Sequence, residues 1–181
     1  MKQLQVYDRE KAVAYARKWA LSHNPAFGNY ENYGGDCTNF ISQCIHAGNI
    51  PFDHDGKNVL EKWYWYSEYS RTPTWTAAEP FYKYIIGNNN SNTQNFGIYA
   101  RNASYNELEI GDIAQLTFEG NAYHTMIITD VVLDGEYLVD YLEAQHTYDL
   151  LDYPLSLKEG VQRYIKILGY YYWYKILNLM I

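Results

Sequence analysis

The chain has 181 residues, 48% hydrophobic and 19% charged, a balance that fits one folded domain and excludes an intrinsically disordered chain. A formal net charge of −7 leaves no basic face for phosphate, which argues against nucleic acid as a partner. The 21 Tyr, 5 Trp and 6 Phe put aromatic surface at half-exposed positions, as carbohydrate and peptide grooves do and as an aromatic-rich core and surface also would.

Residues 1–10 are polar and lack the apolar centre of an export signal. Asp8 is placed to cap a helix running to about residue 22, with Ala12, Tyr15, Ala16, Trp19 and Ala20 recurring at helical spacing. Residues 24–35 read as a loop. A second helix is predicted from Cys37 to Ala47, stopped by Gly48. Apolar-periodic stretches follow at about 58–69 and 76–86, and residues 87–104, rich in Asn and Ser, read as an exposed loop. The period then changes to two. Residues 112–118, 123–132, 137–144 and 161–168 are predicted strands, with Asp134-Gly135 as a hairpin turn. Residues 170–181 are apolar but shorter than the ~18 residues that span a bilayer, so they are expected to form a last strand or an interaction edge and not to insert in a membrane. Helices first and strands after predict a single α+β domain over residues 1–181, with N-terminal helices packed on an antiparallel sheet.

The two cysteines, Cys37 and Cys44, lie seven residues apart in one predicted helix. That separation is about 10.5 Å along the axis, beyond the roughly 7 Å between Cα atoms that a disulfide allows, so both should be free thiols. Gly34 and Gly35 permit a close backbone approach before the helix, and Asp36 is expected to cap it through the amides of Thr38 or Asn39. Cys37 would then be the first helical residue. There the dipole and unpaired amides favour a thiolate and can hold a developing oxyanion. Cys44, two turns on, reads as a buried core thiol.

The run Gly34-Gly35-Asp36-Cys37-Thr38-Asn39-Phe40-Ile41-Ser42-Gln43 resembles the nucleophile motif of the putative amidase domain family, related to the NlpC-like and CHAP cell-wall hydrolases that share a reduced papain-like fold. The resemblance continues through Trp63-Tyr64-Trp65-Tyr66, Pro73-Thr74-Trp75-Thr76 with Phe81-Tyr82, and Gly111-Asp112-Ile113. It runs on through His124-Thr125-Met126-Ile127-Ile128, Gln145-His146-Thr147 and Arg163-Tyr164-Ile165-Lys166-Ile167, and so spans about Tyr7 to Leu168. The resemblance implies a monomeric cysteine hydrolase, extracellular or in the cell wall. It would cleave an amide bond of bacterial peptidoglycan as an N-acetylmuramoyl-L-alanine amidase or a stem-peptide endopeptidase, without cofactor or metal. The polar N-terminus departs from that pattern and implies an excised domain, phage-type release or another export route.

A cysteine hydrolase needs a base for its thiol and a group that orients the base. Of the five histidines, His23 and His54 read as surface residues, and His46 lies too far along the Cys37 helix. His124 opens an apolar strand and is the candidate base. The third residue follows from strand register. A three-residue loop at Leu133-Asp134-Gly135 pairs Val132 with Glu136, sets His124 opposite Ala144 and makes His146 its diagonal neighbour. That register also collects Met126, Ile128, Leu138, Leu142 and Ala144 on one helix-facing side. A two-residue turn flips the faces and offers Gln145 or Glu143 instead. Tyr30 and Tyr33, before the nucleophile, and Trp75 are candidate substrate contacts. Two other readings stay open: a zinc amidase with Cys37, His124 and His146 as ligands, and a non-catalytic module that holds wall glycopeptide on its aromatics.

Overall fold

The computed structural model describes residues 2–87 and 96–173. Strand β1 (Lys2–Gln5) leads into helix α1 (Arg9–Trp19), and after a loop with a 3-10 turn at Glu31–Tyr33 comes α2 (Cys37–Ala47). A short hairpin, β2 (Trp65–Ser67) and β3 (Ser70–Arg71), precedes α3 (Pro73–Thr76) and α4 (Ala78–Gly87). The strands β4 (Gly97–Ala103), β5 (Ile113–Phe118), β6 (Asn121–Asp134), β7 (Tyr137–Gln145), β8 (Leu150–Pro154) and β9 (Val161–Trp173) complete an α+β fold. Seven strands form one sheet in the order β1-β9-β5-β6-β7-β8, with β4 also on β9, and every pairing is antiparallel.

Asp8 caps α1 as predicted, accepting the Lys11 N–H at 3.1 Å. Ala12, Ala16 and Ala20 are wholly buried, and side chains that small let α1 lie close on its neighbours. In α2 every residue from Cys37 to Ile45 is buried, because α1, α3 and the sheet surround it. The main core lies between helices and sheet, with Phe40, Ile41 and Ile45 against Trp63, Trp75 and Ile127. A second core covers the other face of the sheet, where Leu116, Met126, Ile128, Tyr141 and Leu155 meet. The Gly111-Asp112 motif is a bracket. Asp112 takes the Arg9 guanidinium at 2.7 Å and the Ile167 N–H at 2.9 Å, tying the start of α1 to β9. Among the described residues no helix is long and apolar enough to cross a membrane.

The structure departs from the sequence pattern in three places. Residues 58–69 hold a 3-10 turn and β2, the first strand of the hairpin that β3 completes, because the aromatics there alternate sides: Trp63 is buried while Tyr66 is exposed. In the predicted 87–104 loop, residues 97–103 are strand β4, paired along β9, and 88–95 lie outside the described residues. The C-terminal stretch joins β9 as far as Trp173, where it pairs with β1, and the rest lies outside the described residues.

The β6–β7 register also differs. The turn holds two residues, Gly135 (φ 61°) and Glu136, between paired Asp134 and Tyr137. Two bulges along the ladder cancel, so Ile127, not His124, stands opposite Ala144. A shift of three is odd, and an odd shift turns every side chain to the other face. Ile127 and Ala144 therefore meet the helices, while Met126, Ile128 and Leu138 join the second core. Alternation puts His124 on the row of Met126 and Ile128, and Gln145 and Glu143 on the facing row of β7.

Candidate active site

Cys37 opens α2, as the glycine-rich approach predicts. Gly35 has φ 112°, and a Cβ there would lie 3.2 Å from the Thr147 hydroxyl, so a side chain would be both strained and crowded. The same hydroxyl accepts the Asp36 N–H at 2.9 Å and pins the approach to the turn after β7.

Asp36 does not cap the helix with its side chain, contrary to expectation. Its Oδ1 accepts the Tyr30 N–H and the Asn39 amide, both at 2.9 Å, and its Oδ2 lies 2.6 Å from His146 Nδ1. With the carboxylate turned to these partners, the first amides of α2 are left to the thiol. Cys37 Sγ touches the Thr38 hydroxyl at 3.7 Å, and the N–H groups of Thr38 and Thr125 lie near enough to favour its thiolate form. The thiol is nevertheless not a ready thiolate. Burial pushes its pKa up, and the charge of Asp36 adds to that; the Thr38 hydroxyl and the two amides pull it back only partly. The resting form is the neutral thiol. Cys44 is free and sealed in the core, pushed up further by burial.

The Thr125 N–H belongs to the peptide bond that joins His124 to Thr125. Regular β6–β7 pairing ends at Ile127–Ala144, so this stretch of β6 has an open edge, and the mouth of α2 fills it. The Thr38 and Thr125 hydroxyls, 3.0 Å apart, lock helix to strand beside the thiol. The sulfur thus lies by the backbone of the residue that follows the candidate base, but no hydrogen bond joins it to the His124 ring, which lies with Leu116, Met126 and Ile128 on the opposite side of β6 from Thr125.

His124 is buried, and its Nε2 has neither solvent nor a hydrogen-bond partner. Burial lowers its pKa, the Gln145 side chain raises it, and the nearby charge of Lys158 lowers it again. The net direction is down, so the imidazole is neutral near pH 7. Gln145 donates through Nε2 to Thr147 O at 2.9 Å and Tyr148 O at 3.2 Å, and its Oε1 accepts from Lys158 Nζ at 2.6 Å. With both amide hydrogens committed, Gln145 has only its carbonyl oxygen to offer the ring.

His146, expected as the orienter of His124, is engaged elsewhere. Its Nδ1 meets Asp36 and its Nε2 meets the Trp19 carbonyl at 2.9 Å, while Phe40 stacks on the ring at 4.0 Å. Two acceptors on two ring nitrogens favour the imidazolium; burial opposes it, but Asp36 and the carbonyl outweigh burial and raise the pKa. The odd register shift is the reason, since it brings Gln145 onto the row of His124 in place of His146. Glu143 is wholly buried on that row, with a pKa raised to about 7 by burial against the pull of Lys158.

Two substrate-contact expectations are overturned. Trp75 is a core residue, fully buried, with Nε1 donating to Asn39 Oδ1. Tyr30 is buried too; its hydroxyl accepts from Trp65 Nε1 and its ring underlies Arg71. Tyr33 is 84% exposed and stands free beside the nucleophile loop. Lys158 and the Thr125 amide had no signal in the sequence: a single lysine and a backbone group carry no pattern.

Among the described residues, two sets of side chains bring metal-capable atoms within 4.8 Å of one another: His23, Asp36 and His146, and His23, Glu31 and Asp149. Neither contains Cys37 or His124, and both nitrogens of His146 are taken, so the zinc site of Cys37, His124 and His146 is not formed.

The family described as putative amidase domain matches residues 6–170. The uncharacterized protein YhbB of Bacillus subtilis (strain 168) is 38% identical over 124 residues, which is 67% of this chain and 37% of that protein. The uncharacterized protein YjcM of the same strain is 28% identical over 173 residues, 88% of this chain and 36% of its own length. The chain therefore spans little more than a third of these curated relatives. No solved structure matches it. The family match takes in the Cys37 helix, the β6–β7 hairpin and most of β9, and the chain belongs to the putative amidase domain family, an amidase-like family of hydrolases.

Proposed function

We propose that this domain is a cysteine hydrolase of papain-like kind that cleaves an amide bond of bacterial peptidoglycan, at or outside the cell surface, through an acyl-enzyme on Cys37. The observation that carries the reading is the placement of the Cys37 sulfur at the mouth of α2, by the N–H of the residue that follows His124; the His124 Nε2 has no hydrogen-bond partner, and the ring has to swing around the open edge of β6 to meet the thiol. Membership of the amidase-like family supports it; the wall substrate rests on the resemblance to wall hydrolases alone.

In this mechanism the His124 nitrogen takes the thiol proton as sulfur attacks the carbonyl carbon. The oxyanion forms beside the first amides of α2, where the helix dipole favours negative charge. Collapse breaks the C–N bond, and His124 returns its proton to the leaving amine. Water then attacks the thioester and gives a proton to His124, and the thiol re-forms as the acid leaves. Gln145, a neutral acceptor, raises the basicity of the ring less than a carboxylate would.

The deciding experiment is mass spectrometry of purified peptidoglycan after digestion. A free lactyl group with an intact stem peptide identifies an amidase, and cut stems identify an endopeptidase. A digest with no new ends removes the wall substrate. The pH profile is a second check. Burial disfavours the imidazolium form of His124, so protonation waits for a lower pH. The acid limb of kcat/KM should lie below the ordinary imidazole pKa; a limb above that value would mean that another group is the base.

A further inference from the structure

We propose that His23, Glu31 and Asp149 form a binding site for a divalent transition-metal ion of the zinc type, which joins the loop before Cys37 to the turn after β7. The site is separate from Cys37 and His124, and it stands whether or not they are the catalytic pair.

His23, which reads as a surface residue in the sequence, follows α1 and is partly buried. Glu31 opens the 3-10 turn Glu31–Tyr33 ahead of Cys37, and Asp149 lies between β7 and β8. The three are far apart in the chain, yet each offers a ligand atom within 4.8 Å of the other two. Two of the polar atoms have an unmet need. His23 Nε2 and Asp149 Oδ1 are closed to solvent and have no hydrogen-bond partner. A buried polar atom left in that state is costly unless something fills the gap beside it.

The spacing suits an intervening ion and not a direct pair. An imidazolium bonded to a carboxylate closes to ~2.7–2.9 Å, but His23 Nε2 stands 3.7 Å from Glu31 Oε1. Bonds of ~2.0–2.2 Å to one tetrahedral zinc hold nitrogen and carboxylate ligand atoms ~3.3–3.5 Å apart, so small side-chain movements complete the shell. Charge agrees with spacing. Asp36 Oδ2 lies 3.6 Å from the same nitrogen, but His146 already matches it at 2.6 Å. Glu31 and Asp149 bring two further negative charges, and among the described residues neither pairs with a lysine or arginine. A divalent ion cancels both. The imidazole nitrogen selects a transition ion over calcium and magnesium, which take oxygen ligands. Thr147, in the same turn as Asp149, accepts the Asp36 N–H through its hydroxyl. The ion is a second clasp between those two segments.

The test is zinc titrated into the EDTA-treated chain, read by calorimetry and by thermal unfolding. Zinc should bind once per chain and raise Tm as its concentration grows. His23→Gln and Asp149→Asn should each weaken binding at least about tenfold. Both should keep the native Tm in EDTA, since His23 Nε2 and Asp149 Oδ1 have no hydrogen bond to lose. Cys37→Ala should bind zinc as the native chain does. Cobalt in place of zinc reports the donors: the visible bands of a nitrogen–oxygen site support the proposal, and a thiolate charge-transfer band puts the ion on a cysteine and overturns it. Calcium bound as tightly as zinc, loss of binding in Cys37→Ala, or full binding by the His23 and Asp149 variants overturns it too. If zinc leaves the native Tm unchanged, the gap takes water and there is no metal site.

Discussion

Cys37→Ala should reduce hydrolysis at least about a thousand-fold while leaving the fold intact. Removal of the sulfur takes away the attacking atom, and the residual rate reflects only what binding and the α2 amides do for water attack. The variant exposes no core surface and breaks no side-chain pairing beyond the weak contact to the Thr38 hydroxyl. Cys44→Ser is the matched control. It puts a hydroxyl where the surroundings are apolar and should cost about 1–3 kcal/mol of stability with kcat unchanged. Intact mass after a brief exposure to substrate should show an acyl adduct on the native protein and none on Cys37→Ala. Equal loss in both variants, or activity retained by Cys37→Ala, would remove Cys37 as the nucleophile.

His146→Ala should destabilise the domain by about 3–5 kcal/mol, measured by urea denaturation, because it strands the Asp36 carboxylate in the core. Asp36 and His146 are each about 1% exposed or less, so water cannot replace the missing partner. A double-mutant cycle with Asp36→Asn should show strong coupling, the pair variant losing much less than the two single losses together. The pH dependence has a definite sign. The folded-state pKa of His146 is raised, so its contribution is fully present below the ordinary imidazole value and is lost as pH rises through the raised one. His146→Ala should lack that slope. If native and variant proteins lose stability in parallel across that range, the buried imidazolium is not there.

The helix that Cys37 opens was legible because each part of its signal is local: two glycines with positive φ, a short polar residue, a cysteine, then an apolar helix. Asp36 was misjudged for a non-local reason. Asp at this position usually caps, but His146 lies 110 residues away and offers a charge partner, which a backbone amide cannot match. The third member beside His124 turned on where the β6–β7 turn sits: it holds Gly135 and Glu136 in place of Leu133, Asp134 and Gly135, and the two bulges that follow cancel. Trp75 sits in an aromatic-rich segment that reads equally as groove or core; only burial separates the two. Strand β4 was hidden because its Gly, Arg and Asn resemble loop, while its partner β9 supplies the apolar side chains.

Strand β9 has one more consequence, for synthesis. It is the common partner of β1, β4 and β5, and β1 pairs with its last four described residues, 170–173. A nascent chain therefore leaves the ribosome with β1, β4 and the edge of the β5–β6 hairpin all lacking a neighbour until β9 emerges. Closure of this sheet waits for β9, and until then several exposed strand edges depend on dilution or a chaperone to stay apart from those of other chains.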